Sequence, residues 1–292
     1  MKVLLFGGSG QVGRELQRFV SGDPLTVVPR AECDLRRPSE IEEAVRRAMP
    51  HVILNAAAYT AVDAAESDRE ECFAINARAP EVMAKEAARS GAILVHYSTD
   101  YVFDGSKNAP YTETDEINPL NQYGRSKADG EAAILCSGAR AFILRTSWVF
   151  SSHGNNFVKT MLRLAEERDR LRIVNDQIGA PTSAAALAKA TLRMLEVCAR
   201  NADTQGGVYH LTAEGHASWS QFAREIFRIT RPEQRPVIEE VSSEEFPTPA
   251  RRPKNSRLST DKFAAAFGFR LPTWQEQLKV TLEELNSVGR TK

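Results

Sequence analysis

The chain has 292 residues, 42% of them hydrophobic, and its 38 Lys and Arg balance 38 Asp and Glu to a formal net charge of zero. A chain of this size and composition buries a substantial core, which excludes a disordered or repeat protein. The charge balance gives no general attraction to nucleic acid or to an anionic membrane. Four cysteines, Cys33, Cys72, Cys136 and Cys198, stand far apart without a CxxC pair, and the five histidines lack metal-ligand spacing, which suits a reducing cytoplasm and gives no metal site. No apolar stretch reaches the roughly 18 residues of a membrane span. No basic and apolar leader precedes the first strand, so a soluble, cytoplasmic protein is expected.

The chain opens with an apolar run of strand length at 1–6, passes into GGSGQVG at 7–13, and continues in helix-like residues 14–20. Strand, glycine turn and helix in that order form the setting in which GxxGxxG glycines bind a pyrophosphate. Missing side chains permit the turn, let backbone N–H groups approach the anion at the positive end of the helix, and let helix and strand pack closely. Gly7, Gly10, Gln11, Val12 and Gly13 are therefore candidate dinucleotide contacts. Apolar runs recur at 25–28, 52–54, 92–95 and 141–144 and alternate with amphipathic stretches such as 41–48 and 79–88. This is the pattern of an α/β, Rossmann-type doubly wound parallel sheet, whose ligands lie outside the carboxyl ends of the strands.

The residues after each run are thus the ones to read for contacts. After the second run comes Arg30, where an acidic residue would suit the ribose of NAD. An arginine there favours the 2′-phosphate of NADPH and leaves NADH open, and Asp34 and Leu35 are placed to meet the adenine. NAAAYT at 55–60 follows the third run, and its small residues let the backbone run close beneath a cofactor. HYSTDYVF at 96–103 follows the fourth and puts Thr99, a hydroxyl for a substrate carbonyl, at the strand's carboxyl end. His96, within an apolar strand, reads as a satisfied core residue. In NQYGRSK at 121–127, Tyr123 and Lys127 are four apart and share one face of a helix. An ammonium beside the phenol lowers its pKa towards the working pH and makes it a proton donor and acceptor. Together these groups point to redox chemistry on a carbonyl.

The second half begins near Ser151. Helix is expected at 157–164, a long alanine-rich helix starts at PTS (181–183), and VYHL at 208–211 reads as another strand. The Pro- and Glu-rich stretch 232–253 reads as an exposed loop that leads to last helices at 261–267 and 274–285. The organisation expected is a dinucleotide-binding Rossmann domain at 1–150, followed at 151–292 by a smaller C-terminal substrate-binding lobe with segments that return to the Rossmann body.

With these motifs in place, the chain resembles the extended short-chain dehydrogenase/reductases and, within them, the dTDP-4-dehydrorhamnose reductase family. The resemblance spans most of the chain. It rests on the glycine turn, NAAAYTAVDAAE (55–66), HYSTDYVF (96–103), PLNQYG (119–124), RTSWVF (145–150), NNF (155–157) and NDQIGAPT (175–182). It implies reduction of the C4 keto group of a nucleotide sugar, dTDP-4-dehydro-6-deoxy-L-mannose, by NAD(P)H to give dTDP-L-rhamnose. On that resemblance Tyr123 would protonate the C4 oxygen, Lys127 would bind the nicotinamide ribose, and Thr99 would hydrogen-bond the same oxygen. Thr99, Asp100 and Trp148 match substrate-contacting positions, and Ala58, Tyr59, Thr60 and Tyr97 match cofactor-contacting ones, mostly through backbone or wall contacts. The basic RRPK at 251–254 with Arg257 would meet the two phosphates of the substrate.

One local comparison favours reduction over elimination. Related 4,6-dehydratases carry Thr-Asp-Glu where this chain has Thr99, Asp100 and Tyr101, so the second carboxylate that elimination needs is missing. Pro29 stands where family members often carry an acidic residue, which tells against NADH. The family's magnesium, held by glutamates at a subunit contact, and the homodimer it implies stay open, because Glu15 matches one glutamate and Ala185 replaces another. Two other readings stay open as well. They are a non-catalytic regulatory subunit resembling that of methionine adenosyltransferase, and a reductase of another nucleotide-linked 4-keto sugar.

Overall fold

The computed structural model describes residues 1–289 apart from Ser21, Ala202, Pro232 and Gln234. In its first half, β1 (Val3–Phe6), α1 (Gln11–Phe19), β2 (Leu25–Val28), α2 (Pro38–Ala48) and β3 (Val52–Asn55) alternate as expected. They are followed by α3 (Arg69–Phe73), a π-helical turn at Ala74–Arg78, α4 (Ala79–Ser90), β4 (Ile93–Thr99), α5 (Gln122–Cys136) and β5 (Ala141–Thr146). The second half holds β6 (Val149–Phe150), α6 (Phe157–Glu167), β7 (Arg170–Val174), β8 (Ile178–Gly179), β9 (Thr182–Ser183) and α7 (Ala184–Arg200). It ends with β10 (Gly207–His210), β11 (Ala217–Ser218), α8 (Trp219–Thr230), β12 (Val237–Val241), α9 (Asp261–Phe267) and α10 (Trp274–Gly289).

Six strands pair in parallel in the order β10-β5-β4-β3-β1-β2. The period-2 alternation of side chains divides the core between the two faces of this sheet. Val3, Leu5, Val52, Leu54, Val95, Phe142 and Leu144 pack with Leu16 of α1, Leu187 and Met194 of α7, and Phe263 of α9. Leu4, Phe6, Ile53, Leu94 and Ile143 point the other way, onto Ile41 and Val45 of α2, Met83 and Ala87 of α4, and Ile134 of α5. Strand order reverses direction between β1 and β3, and that reversal opens a crevice at the strands' carboxyl ends.

A separate apolar cluster joins Phe150, Val158 of α6, Ile173 of β7, Phe222 and Phe227 of α8, and Leu278 and Leu282 of α10. It is the core of the smaller part. The expected loop at 232–253 is corrected in part: β12 lies within it and pairs in parallel with β7, from Val237 opposite Arg170 to Val241 opposite Val174. Pro232 and Gln234 of that stretch lie outside the described residues. The loop that follows returns to the sheet body, where Arg252 pairs with Asp63 at 2.8 Å.

Candidate active site

The glycine turn is built by close approach. Gly7 has φ +81°, and a Cβ on it would lie 2.4 Å from the Ala57 nitrogen; a Cβ on Gly13 would lie 2.1 Å from the Gly7 carbonyl oxygen. Neither space admits a side chain. Helix α1 therefore starts against the ends of β1 and β3, with Gly10 at its N-cap and no side-chain cap. Its N-terminus faces a cleft of about 1590 Å³ lined by Gly7, Gly10, Gln11, Val12 and, from the third strand's end, Ala57 and Ala58. Uncapped N–H groups and the helix dipole make that end an anion site.

The reacting end of the same cleft is shaped by β4 and α5. Asn121 caps α5 by accepting the Gly124 N–H at 2.8 Å, and a Cβ at Gly124 would sit 2.2 Å from the Tyr101 carbonyl. The first turn of α5 is thereby pressed onto the end of β4, and Tyr123 and Thr99 line the cleft together. Burial raises the Tyr123 pKa above its ordinary value, and the neighbouring Thr99 hydroxyl opposes that rise. The Thr99 hydroxyl donates to Asp100 at 3.2 Å and accepts the Tyr101 N–H at 3.1 Å. Burial pushes the Asp100 carboxyl up to about 6, against a hydrogen bond with Ser256.

Lys127 corrects one expectation. Its Nζ donates to the Tyr97 carbonyl at 2.6 Å and lies 3.0 Å from His96 Nε2, rather than pairing with the Tyr123 phenol one turn away. Burial brings Lys127 down to about 8. The i,i+4 spacing puts both residues on one face of α5, but the strand beside that face offers the ammonium nitrogen nearer partners.

The cleft is also lined by Arg30, Asp34, Leu35 and Thr60, and by Tyr97, Thr99, Asp100, Tyr123, Lys127 and Trp148. Arg30 is largely exposed, 3.9 Å from Glu71, and Asp34 is held by Arg36. Two of the expected cofactor-contacting residues turn their hydroxyls away from the cleft. Tyr59 turns its hydroxyl to Asp68 at 3.0 Å, outside the cleft, while its backbone is clasped by the Asn76 amide. Tyr97 sends its hydroxyl into the core, 2.6 Å from Thr191. Gly13 lies behind the cleft wall as a packing glycine.

Trp148 holds φ +49°, a left-handed conformation that is costly for a tryptophan, and its indole stacks on Trp219 in the cleft wall. Sequence reasoning missed Trp219, and also Ser98 and Thr146. The Ser98 and Thr146 hydroxyls and Asp100 Oδ2 are buried on the cleft side with no hydrogen-bond partner among the described residues.

A second cleft of about 910 Å³ adjoins the first at Trp219. Its walls bring together Arg172, Phe246, Arg251, Arg252 and Lys254. Arg257 is not among them; its guanidinium bonds Asn255 and the Asn108 carbonyl. Glu15 is buried, 3.5 Å from Arg18 and 3.7 Å from His153. Among the described residues no group of three His, Cys, Asp or Glu is arranged to hold a metal ion. Nor is any described helix long and apolar enough to cross a membrane.

A doubly wound parallel sheet, with a glycine turn on its first helix and a Tyr/Lys pair beside the fourth strand, defines a Rossmann-type short-chain dehydrogenase/reductase. The family model described as RmlD substrate binding domain matches residues 1–287. A dTDP-4-dehydrorhamnose reductase of Escherichia coli K12 is 46% identical over 98% of both chains. Two solved structures are similar along their whole length. The dTDP-4-dehydrorhamnose reductase of Clostridium acetobutylicum has a TM-score of 0.92 at 37% identity, covering 98% of this chain and 100% of that one. The Bacillus anthracis structure, a complex with NADP, has a TM-score of 0.90 at 35% identity, covering 97% and 100%. The chain belongs to the dTDP-4-dehydrorhamnose reductase family.

Proposed function

We propose that the protein reduces the C4 keto group of dTDP-4-dehydro-6-deoxy-L-mannose to give dTDP-L-rhamnose, with NADPH preferred over NADH. The observation that carries this reading is the meeting of Thr99, Tyr123 and Lys127 in the cleft that begins at the glycine turn. The cradle at Gly7 and Gly13, which a Cβ would fill, suits the dinucleotide pyrophosphate. Arg30, exposed at the end of β2, suits a 2′-phosphate.

A bound NAD(P)H would supply the hydride for the sugar C4. Thr99 and Tyr123 hold the carbonyl oxygen from one side, and the Tyr123 O–H gives its proton to that oxygen as the carbon accepts the hydride. Lys127, anchored on the Tyr97 carbonyl, is placed to bind the nicotinamide ribose. Trp148 and Trp219 cover the sugar. The basic second cleft takes the nucleotide diphosphate, with Arg251, Arg252 and Lys254 the closest matches to the phosphates. Magnesium enters no step of this reading. A homodimer is carried forward as an expectation, and light scattering at twice 32.3 kDa would support it.

The test is loss of NADPH absorbance on mixing enzyme, NADPH and the 4-keto sugar nucleotide, with none when the sugar is left out. Absence of reduction at saturating sugar overturns the reading. A stoichiometric partner enzyme recovered alongside that result favours the regulatory-subunit alternative. Faster reduction of a different nucleotide-linked 4-keto sugar reassigns the substrate.

A further inference from the structure

Asn121 stands between the two clefts. Leu120, just before it, lines the second cleft, and Tyr123, just after it, lines the first. The Asn121 side chain is buried, and both ends of its amide are engaged. Oδ1 accepts the Gly124 N–H at 2.8 Å and so caps α5, while Nδ2 donates to the Arg251 carbonyl at 2.7 Å. Acceptor and donor lie on one rigid plane. A single buried group therefore fixes how far the start of α5 lies from the basic segment at 251–254.

We infer that Asn121 is a positioning residue that holds the Tyr123 phenol in register with the diphosphate clamp of the second cleft. The inference rests on the proposed reading of that cleft as the diphosphate site. A sugar nucleotide gripped by its phosphates at 251–254 brings its C4 oxygen to the phenol only if the two segments keep one separation. An error of about 1 Å in such a placement can cost on the order of 100-fold in rate.

The surrounding contacts explain why the tie matters on this side. Gly124 already lies against the Tyr101 carbonyl with no room for a Cβ, so α5 cannot slide further onto the end of β4. Its remaining freedom is towards the 251–254 segment, where Asn121 acts. The segment at 61–66 braces the same two parts from outside. Asp63 accepts the Ala250 N–H at 3.1 Å and pairs with Arg252 at 2.8 Å, and Glu66 accepts the Gln122 N–H at 2.8 Å. That brace needs two side chains and a partly exposed ion pair, whereas Asn121 spans the gap with one amide.

Asn121→Ser separates the two jobs. Serine caps a helix as well as asparagine does, but its shorter side chain stops short of the Arg251 carbonyl. Steady-state kinetics with the sugar nucleotide are paired with titrations of NADPH alone and of dTDP alone. The expected kcat/KM is about tenfold below the parent, with both dissociation constants within about threefold. An unchanged kcat/KM overturns the inference. So does dTDP affinity that falls as far as kcat/KM, because Asn121 would then build the clamp and not its register with Tyr123. Asn121→Asp, measured at pH 8, keeps the cap and turns a carboxylate oxygen onto the Arg251 carbonyl. Its kcat/KM should fall at least as far as that of the serine variant, and a value nearer the parent overturns the inference. A parent protein that does not reduce the ketone overturns the reductase reading and this inference with it, whereas an active parent with unaffected variants overturns the inference alone.

Discussion

The indoles of Trp148 and Trp219 lie face to face, their centroids 3.5 Å apart and their planes 7° from parallel. Trp148 follows β5 of the large sheet and Trp219 opens α8 of the smaller part, so one stacked pair bridges the two where the two clefts meet. Such pairs contribute about 1 kcal/mol beyond the area they bury. Trp219→Ala should therefore raise KM for the sugar nucleotide about fivefold and leave the dissociation constant of NADPH unchanged. Steady-state kinetics paired with a cofactor titration reads both.

Tyr123→Phe deletes the proton donor and keeps the ring that packs edge-on against Tyr101. Turnover should fall by roughly 100-fold to 10,000-fold, the range that general acid catalysis supplies. NADPH affinity should stay within about twofold of the parent. A variant that keeps a tenth or more of the parent turnover would remove the phenol from the chemistry.

Asp100 gives a pH dependence of stability. Its folded value of about 6 lies above the ordinary 3.8, so the native state holds the proton more tightly than the unfolded chain. Stability falls as pH rises through that interval, and above it the loss is complete. At pH 8 the loss is about 3 kcal/mol. Asp100→Asn cannot ionise, so it should melt a few degrees above the parent at pH 8 and level with it at pH 4. Thermal melts at the two pH values check the difference, and equal melting at both contradicts it.

Gly124→Ala drives a methyl to 2.2 Å from the Tyr101 carbonyl, so α5 must shift away from the end of β4. The overpacking should cost about 1–3 kcal/mol. It should also lower turnover, because Tyr123 and Lys127 move with the helix. Calorimetry and turnover measured on the same sample separate this from simple unfolding.

The strands of the large sheet were readable because they are buried on both faces and appear as short apolar runs such as LLF and VIL. The glycine turn and the end of β4 were readable for a related reason. Backbone approach there excludes side chains, and hydroxyl chemistry sits at a strand end. Strand β12 was hidden by its own composition. In VIEEV only Val241 is buried, and the pairing is with β7 alone, so no apolar period marks it. Trp219 was missed because it meets Trp148 only through the fold, 71 positions along the chain. The partners of Lys127 were beyond reach for the same reason. Helical spacing tells which residues share a face of α5, whereas the strand packed against that face supplies the Tyr97 carbonyl and His96. The direction of the Tyr59 hydroxyl, towards Asp68, was likewise beyond what a matched position could tell.

The most direct measurement follows the transferred hydride itself. NADPH deuterated at the reactive position of the nicotinamide is incubated with the protein and dTDP-4-dehydro-6-deoxy-L-mannose, and the product is read by mass spectrometry and NMR. One deuterium, at sugar C4 and in a single configuration, is the expected result. A product without deuterium, or with deuterium at any other carbon, contradicts reduction of the C4 ketone in this cleft.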